Sequence, residues 1–354
     1  MMKTVIADKI ASVAQHRGLK RELRVSDDIP CEEGVLVAVE ILNNKSTYNT
    51  LELTSGRMAQ IKRGDVIVGA LGHRKALFGY SGHLPEALKP GDEVQVLNIG
   101  GVLGICDSVN ANFGQPFNAR VLGTVLEFPY LGERIGVPAR AGIEQLTDDV
   151  TVNTHGVPVV ALAGTCMDSG KTAAACAIVA RLRHLGHTVD AFKATGVSLR
   201  RDILAMEDAG ARNTSIFTDY GVITTTSKNG AQVTRTMLNK LAATKPDAIV
   251  FELGDGILGT YGVDAILNDQ AIAESITCLI LCANDPVGAC GGVALLKSEF
   301  GMQAHLVTGP ATDNQVGRNI IQERLGLSGI NAITNATDLG DAVAAMIGMQ
   351  GQQP

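Results

Sequence analysis

Residues 157–186 read VPVVALAGTCMDSGKTAAACAIVARLRHLG, and their reading decides the fold of the second half of the chain. The near-continuous apolar run "VPVVALAG" is the length of a buried strand, and "KTAAACAIVARLRHLG" has the alanine-rich texture of a helix. Between them stands "AGTCMDSGKT", residues 163–172, which ends in the Gly-Lys-Thr of a phosphate-binding loop. The usual spacing, G-x-x-x-x-G-K-[ST], requires glycine at position 165, but Thr165 stands there and Gly164 lies one residue early. The context supplies what the spacing lacks. A loop that leaves a buried strand and opens into a helix aims its amides, here those of Asp168, Ser169, Gly170, Lys171 and Thr172 with Ala173 following, at an anion. Lys171 is then a mobile cation for the β- and γ-phosphates, and the Thr172 hydroxyl a ligand for Mg²⁺.

The same texture continues to the end of the chain. "TVDAFKATG", "DAIVFELGDG", "ITCLILCAND" and "MQAHLVTGP" are apolar segments separated by stretches long enough for helical crossovers, the pattern of a parallel sheet covered on both faces. Before residue 150 the texture differs. "GVLVAVEI", "GDVIVGALG", "GDEVQVLNIGG" and "ARVLGTVLEF" are short β segments punctuated by the turn pairs Gly64-Asp65 and Gly91-Asp92. The fold class expected is therefore α/β: a mainly-β, barrel-like domain over residues 1–150, and a parallel-sheet P-loop domain over 151–354. The Pro-Ala-Arg-Ala-Gly stretch at 138–142 reads as a linker near the break.

Composition excludes several function classes. With 354 residues and 45% hydrophobic content the chain has material for two cores. A net charge of -6, from 30 basic and 36 acidic residues, offers no broad cationic face, so nucleic acid is not an expected partner. The seven cysteines form neither a C-x-x-C pair nor a finger spacing, and read as reduced thiols of a cytoplasmic protein. No apolar run reaches the ~18 residues of a membrane helix, so no membrane partner is expected. His73, Arg74, Lys75 and His83 gather in "GHRKALFGYSGH", which reads as an exposed hairpin, or equally a lid, rather than a metal site. Cys290 falls in a glycine-rich turn with no histidine near it in sequence, and reads as a small packing residue.

The form G-T-x-x-x-x-G-K-T, here Gly164, Thr165, Gly170, Lys171 and Thr172, resembles dethiobiotin synthetase and its relatives, including the amidotransferase synthetases of cobalamin assembly. These share a P-loop class with the MinD and nitrogenase iron-protein ATPases. The resemblance covers roughly residues 157–345, and the same half also looks like proteins of the DUF1611 type. It implies ATP and Mg²⁺ as cofactors. It further implies that a lysine ending the second strand reaches the phosphates and substrate, and that a glutamate of the fourth-strand region helps hold the metal. Lys193, 22 residues after Lys171, and Glu252 in "IVFELGDG" match in place and type. The catalytic candidates are thus Lys171, Lys193 and Glu252, and the metal candidates Thr172, Asp202 and Glu252. Asp255 competes with Glu252, and Asp219 with Asp202. Arg200 and Arg201 are candidates to clamp a carboxylate or phosphate. In this class the strand-end loops hold the base, which points to Asn284, and less strongly to Pro310 or Asn314.

Departures narrow the reading. "ELGDG" replaces Glu-Gly-x-Gly-Gly, Met167 and Asp168 stand inside the loop, and "ATGVS" follows Lys193. Dethiobiotin synthesis itself is therefore not expected. What remains is an ATP-dependent kinase or ligase acting on a small, carboxylate-bearing acceptor, expected to be a homodimer. The alternative is a MinD-like nucleotide switch or metallochaperone ATPase with a protein partner. Those cousins carry a second lysine early in the loop, where this chain has Thr165 and Cys166, and its absence favours the enzyme.

Overall fold

The structure is a computed structural model that describes residues 2–130, 132, 135–144, 146–147 and 151–349. The chain forms two compact units. The first takes Met1–Gln145 together with two later segments, Val197–Arg201 and Phe217–Thr224; the second takes Leu146–Gly196, Asp202–Ile216 and Thr225–Pro354.

In the first unit five strands close a ring. Leu36–Ile41 pairs antiparallel with Phe117–Glu127 on one side and with Val66–Leu71 on the other. Val66–Leu71 pairs in parallel with Val102–Val109, which pairs with Glu93–Val96, which returns to Phe117–Glu127. Closure removes exposed sheet edges, and the side chains of Val37, Val39, Ile67, Val94, Leu103 and Val121 are among those that fill the core. The four β segments read from sequence all lie on this ring.

Two local expectations fail here. The stretch 138–142 is not a linker: Ala139 and Ala141 are buried, the Ala139 carbonyl accepts from Leu36 N at 2.9 Å, and Ala141 N donates to Gly34 O at 2.8 Å. Its small residues serve close packing, which composition cannot distinguish from linker chemistry. Nor is the 72–83 hairpin exposed throughout. Arg74 pairs with Gly82 across the hairpin but is itself buried, donating to Tyr48 Oη at 3.0 Å and to the Leu97 carbonyl. His83 has an acidic companion after all, with Nδ1 2.7 Å from Asp107 Oδ1.

The second unit is a seven-stranded, all-parallel sheet. In chain order its elements are β1 (Val159–Gly164), α1 (Lys171–His184), β2 (Val189–Lys193), α2 (Arg201–Asp208), β3 (Thr214–Ile216), α3 (Gly230–Ala243), β4 (Ala248–Glu252), α4 (Val263–Leu267), α5 (Gln270–Ser275), β5 (Cys278–Cys282), α6 (Pro286–Phe300), β6 (Leu306–Thr308), α7 (Gln315–Leu325), β7 (Ser328–Gly329) and α8 (Ala336–Met346). The spatial order is β3-β2-β4-β1-β5-β6-β7. Every residue of β1, β2, β4 and β5 is buried, as near-continuous apolar runs require when helices cover both faces. β1 has β4 on one side and β5 on the other, so the strand order reverses at β1. The crevice at the carboxyl end of such a switch point is where open α/β sheets take ligands.

The opposite end of β2 carries a structural ion pair. Asp190, fully buried, accepts from Arg212 Nε at 3.0 Å and Nη2 at 2.8 Å, and from Thr244 Oγ1 at 2.6 Å. Burial pushes its carboxyl up, and the hydrogen bonds from Arg212, Thr244 and Asn213 overcome this and hold it below the ordinary value. A depressed carboxylate stabilises the fold above its unfolded pKa, and that contribution is lost as pH falls through the folded value. Asp190→Ala is expected to cost about 3 kcal/mol at neutral pH, the low end for breaking a buried pair, because the Arg212 side chain keeps 38% exposure. Thermal melts should show the gap to wild type closing in acid; a gap independent of pH would refute the electrostatic account.

Candidate nucleotide site

The loop after β1 is held between its neighbours by its backbone. Thr165 N donates to Cys282 O at the end of β5, and Gly164 O accepts from Ile257 N beyond β4, both at 2.9 Å. The displaced glycine now has a steric reason. A Cβ at Gly164 would lie 2.5 Å from Ser169 Oγ and 2.7 Å from Lys171 Nζ, so the folded-back lysine occupies the space a side chain needs. Position 165 has no such restriction, and the Thr165 methyl faces Gly292 of α6, where an added Cβ would lie 3.2 Å from it.

Lys171, only 5% exposed, donates to Cys166 O at 2.9 Å and Asp255 O at 2.6 Å, with Ser169 Oγ at 3.4 Å. The N-terminus of α1 has no side-chain cap; its N-cap is Gly170, at φ 89°. Helices α3, α4 and α8 likewise have no side-chain cap, whereas α5, α6 and α7 are capped by the side chains of Asp269, Asp285 and Asn314. The first-turn amides of α1 thus have no capping side chain competing for them, which suits an external anion. Asp168, exposed, takes a left-handed φ of 58° at the loop apex, a conformation aspartate tolerates better than most residues.

Beside the loop, the Thr172 hydroxyl donates to Glu252 Oε2 at 2.9 Å. Glu252 Oε1 lies 3.9 Å from Lys193 Nζ, and Lys193 also forms an ion pair with Asp202 on the first turn of α2. Lys193 and Glu252 are register partners at the ends of β2 and β4. Both are buried. Burial pushes the Glu252 carboxyl up and Asp202 adds to this, while Lys193, Lys171 and the Thr172 hydrogen bond oppose it; the net direction is up. Burial pushes the Cys176 thiol of α1 to about 11, so it is neutral and no nucleophile near neutral pH.

These residues fit a magnesium nucleotide. A hydroxyl and a buried carboxylate are the oxygen ligands Mg²⁺ takes from protein, while its remaining positions go to water and phosphate. Lys171 and the α1 amides suit the phosphates. Among the described residues no three of His, Cys, Asp and Glu gather as a metal cluster.

Other candidates divide. Asp255 is buried behind the loop, at φ 67°, and its carbonyl holds Lys171. Asp219 belongs to the first unit, where Oδ1 lies 2.7 Å from His16 Nε2. Arg200 also belongs there, donating from its guanidinium to Thr54 O at 3.2 Å and from its amide to Glu52 Oε2 at 2.8 Å. Asn284, exposed after β5, donates to Cys166 Sγ at 3.0 Å. Pro310, after β6, comes within 3.7 Å of where a Cβ on Gly170 would stand. The Asn314 side chain is spent on capping α7, accepting from Gly317 N at 3.1 Å. Cys290 sits inside α6, not in a turn: Asp285 and Pro286 start the helix earlier than the glycines suggest. The Thr195 hydroxyl, which carries no motif and is not singled out by the sequence, donates to Gly254 O at 3.0 Å.

Glu252→Gln keeps the volume and removes the charge. Nucleotide is expected still to bind, with weakened Mg²⁺ dependence and sharply reduced turnover. A raised carboxyl opposes folding more as pH rises through its folded value, so in EDTA the Gln variant should melt at or above wild type at neutral pH. The difference should vanish toward the ordinary glutamate value of 4.5. Normal Mg²⁺ dependence and turnover would transfer the role to Asp255.

A buried parallel strand, a loop closing on Gly-Lys-Thr, an uncapped helix and an acid on the adjacent strand together define a P-loop NTPase fold. No family profile and no curated protein sequence matches the chain. Solved structures do align with it. Hydrogenase maturation factor HypB from Archaeoglobus fulgidus covers 54% of this chain and 91% of its own, at 13% identity and a TM-score of 0.38. The signal recognition particle receptor FtsY from Elizabethkingia anophelis covers 55% and 68%, at 13% identity and 0.39. The signal recognition particle 54 kDa protein from Aeropyrum pernix K1, in complex with GDP, covers 58% and 48%, at 18% identity and 0.37. At these scores the class rests on the chain's own strand order and loop geometry.

Proposed function

We propose that the second unit binds ATP with Mg²⁺ and transfers its γ-phosphoryl group to a small, carboxylate-bearing acceptor, in the manner of dethiobiotin synthetase-like enzymes. One observation carries this reading: Lys193 and Glu252 end adjacent strands as a buried pair beside Thr172, with Asp202 on the far side of the lysine. A phosphate-binding loop needs only Lys171 and Thr172. A second buried lysine at this edge supplies a fixed positive charge for an acceptor oxygen approaching the γ-phosphate. Mg²⁺, when bound, neutralises charge on the phosphates. Lys171 would orient the β- and γ-phosphates, Thr172 and Glu252 would hold the metal, and Lys193, exchanging Asp202 for the acceptor, would fix the line of transfer.

The test is ADP formation from Mg·ATP, with and without a panel of small mono- and dicarboxylic acids. Stimulation by one of them is expected. Turnover indifferent to every acid, yet raised by a protein partner, would replace this reading with the switch.

A further inference from the structure

Two residues past the Lys193–Glu252 pair, the backbones leaving β2 and β4 touch. Ala194 N donates to Glu252 O at 2.9 Å, and the fully buried Thr195 hydroxyl then donates to Gly254 O at 3.0 Å. The approach leaves no space for a side chain at 254. A Cβ there would lie 2.2 Å from Thr195 O and 3.0 Å from Lys193 Cε. The lysine stem therefore runs over a bare glycine, and a single hydroxyl ties that glycine to the strand from which the lysine departs. The next residue is tied too: Gly196 N donates to Thr225 Oγ1 at 2.8 Å, and Thr225 Oγ1 donates to Tyr261 O at 2.8 Å.

We propose that Thr195 is a positioning residue, whose hydrogen bond to Gly254 fixes the Lys193 ammonium against the Glu252 carboxylate for phosphoryl transfer. This rests on the function proposed above. Without the hydroxyl, Gly254 O is left buried without that donor, the two strand ends separate, and Lys193 turns toward Asp202 alone. Transfer is sensitive to such a shift, because a displacement near 1 Å costs on the order of 10²-fold in rate. Nucleotide affinity is set by the α1 loop and does not depend on this contact.

Thr195→Val is close in shape and removes only the donor. Three measurements are made on wild type, T195V and T195S: binding of a fluorescent N-methylanthraniloyl ATP, ADP formation from Mg·ATP with and without the acid panel, and the rate of isotope-coded reductive methylation of Lys193, read by mass spectrometry. In T195V, turnover should fall about 10- to 100-fold with analogue affinity within about twofold, and Lys193 should label several-fold faster. T195S, which keeps the hydroxyl, should restore both rates. A purely structural role would instead lower melting temperature and affinity together, with no recovery of Lys193 protection in the serine variant. Should T195V not fold, Thr195→Ala removes the same donor and adds no atom, and wild-type labelling in that variant overturns the proposal. Wild-type labelling and turnover in a folded T195V overturn it equally. If the wild type binds no nucleotide, the function proposed above fails, while the labelling contrast still decides whether Thr195 positions Lys193.

Discussion

Lys171→Ala should weaken Mg·ATP binding by about 10²-fold or more, the loss expected when a cation that bonds to two phosphates at ~1.5–3 kcal/mol each is removed. The fold should survive. The lysine's contacts are with the Cys166 carbonyl and Ser169 hydroxyl of its own loop and with the Asp255 carbonyl, and no strand pairing depends on them. The nucleotide-free variant should lose about 1–2 kcal/mol, because two carbonyls forfeit their donor. Calorimetric titration with ATP and with inorganic tripolyphosphate separates the contributions. Both ligands should weaken together, since the lysine addresses phosphate and not base. Equal ATP affinity in wild type and variant would remove the phosphate-loop assignment, leaving Gly164 to Thr172 as an ordinary strand-to-helix turn. Weakened ATP with unchanged tripolyphosphate would mean the lysine serves the base or ribose side of the site.

Local chemistry was legible where a residue's neighbours in sequence are also its neighbours in space. The loop is such a case: Gly164, Ser169 and Lys171 are mutual contacts, so a glycine shifted by one could be read as meaningful, although its steric cause lies in how the lysine folds back over it. Glu252 is another, an acid ending an unbroken apolar run and hence aimed from a buried strand end. The β segments of the first half were visible because period and turn residues are local. What the sequence withheld depends on distant partners. Val197–Arg201 and Phe217–Thr224 lie between two strands of the parallel sheet, yet pack with the first unit. Asn98 Nδ2 donates to Ser198 O at 2.7 Å, and Glu33 accepts from Ile223 N and Thr224 N at 3.1 and 2.9 Å. No periodicity announces a backbone group satisfied by a side chain ~100 or ~190 residues earlier. Pro138 to Gly142 misled for the converse reason, since small residues suit both a linker and a tight passage through a core. Asp219 was a fair metal candidate by type, but it lies in the first unit, where its carboxylate meets His16 and Gln15.

Lys193→Ala separates the two classes of function. In the nucleotide-free protein Lys193 balances two carboxylates, Asp202 by direct ion pairing and Glu252 at 3.9 Å, so its charge is held at the strand edge by opposing charge on both sides. Such a cation is already oriented, and an approaching acceptor oxygen need only take over one carboxylate's share of it. The interaction strengthens as negative charge develops between acceptor and γ-phosphate, which places its contribution in the transition state and not in ground-state binding. Acceptor-dependent turnover should therefore fall by about 10²-fold or more, the scale for removing one preorganised electrostatic donor, with ATP affinity nearly unchanged. Removal also takes from Glu252 the larger of the two lysine charges that oppose its upward shift, leaving only Lys171, so its carboxyl rises further and Mg²⁺ affinity should fall more steeply below neutral pH than in wild type. A switch protein has no acceptor at this edge, and its basal hydrolysis would survive the substitution. ATP turnover in wild type and Lys193→Ala, across the acid panel and at two pH values, distinguishes the cases. A rate indifferent to the substitution under every condition would end the phosphoryl-transfer reading and leave Lys193 as the counter-ion of Asp202.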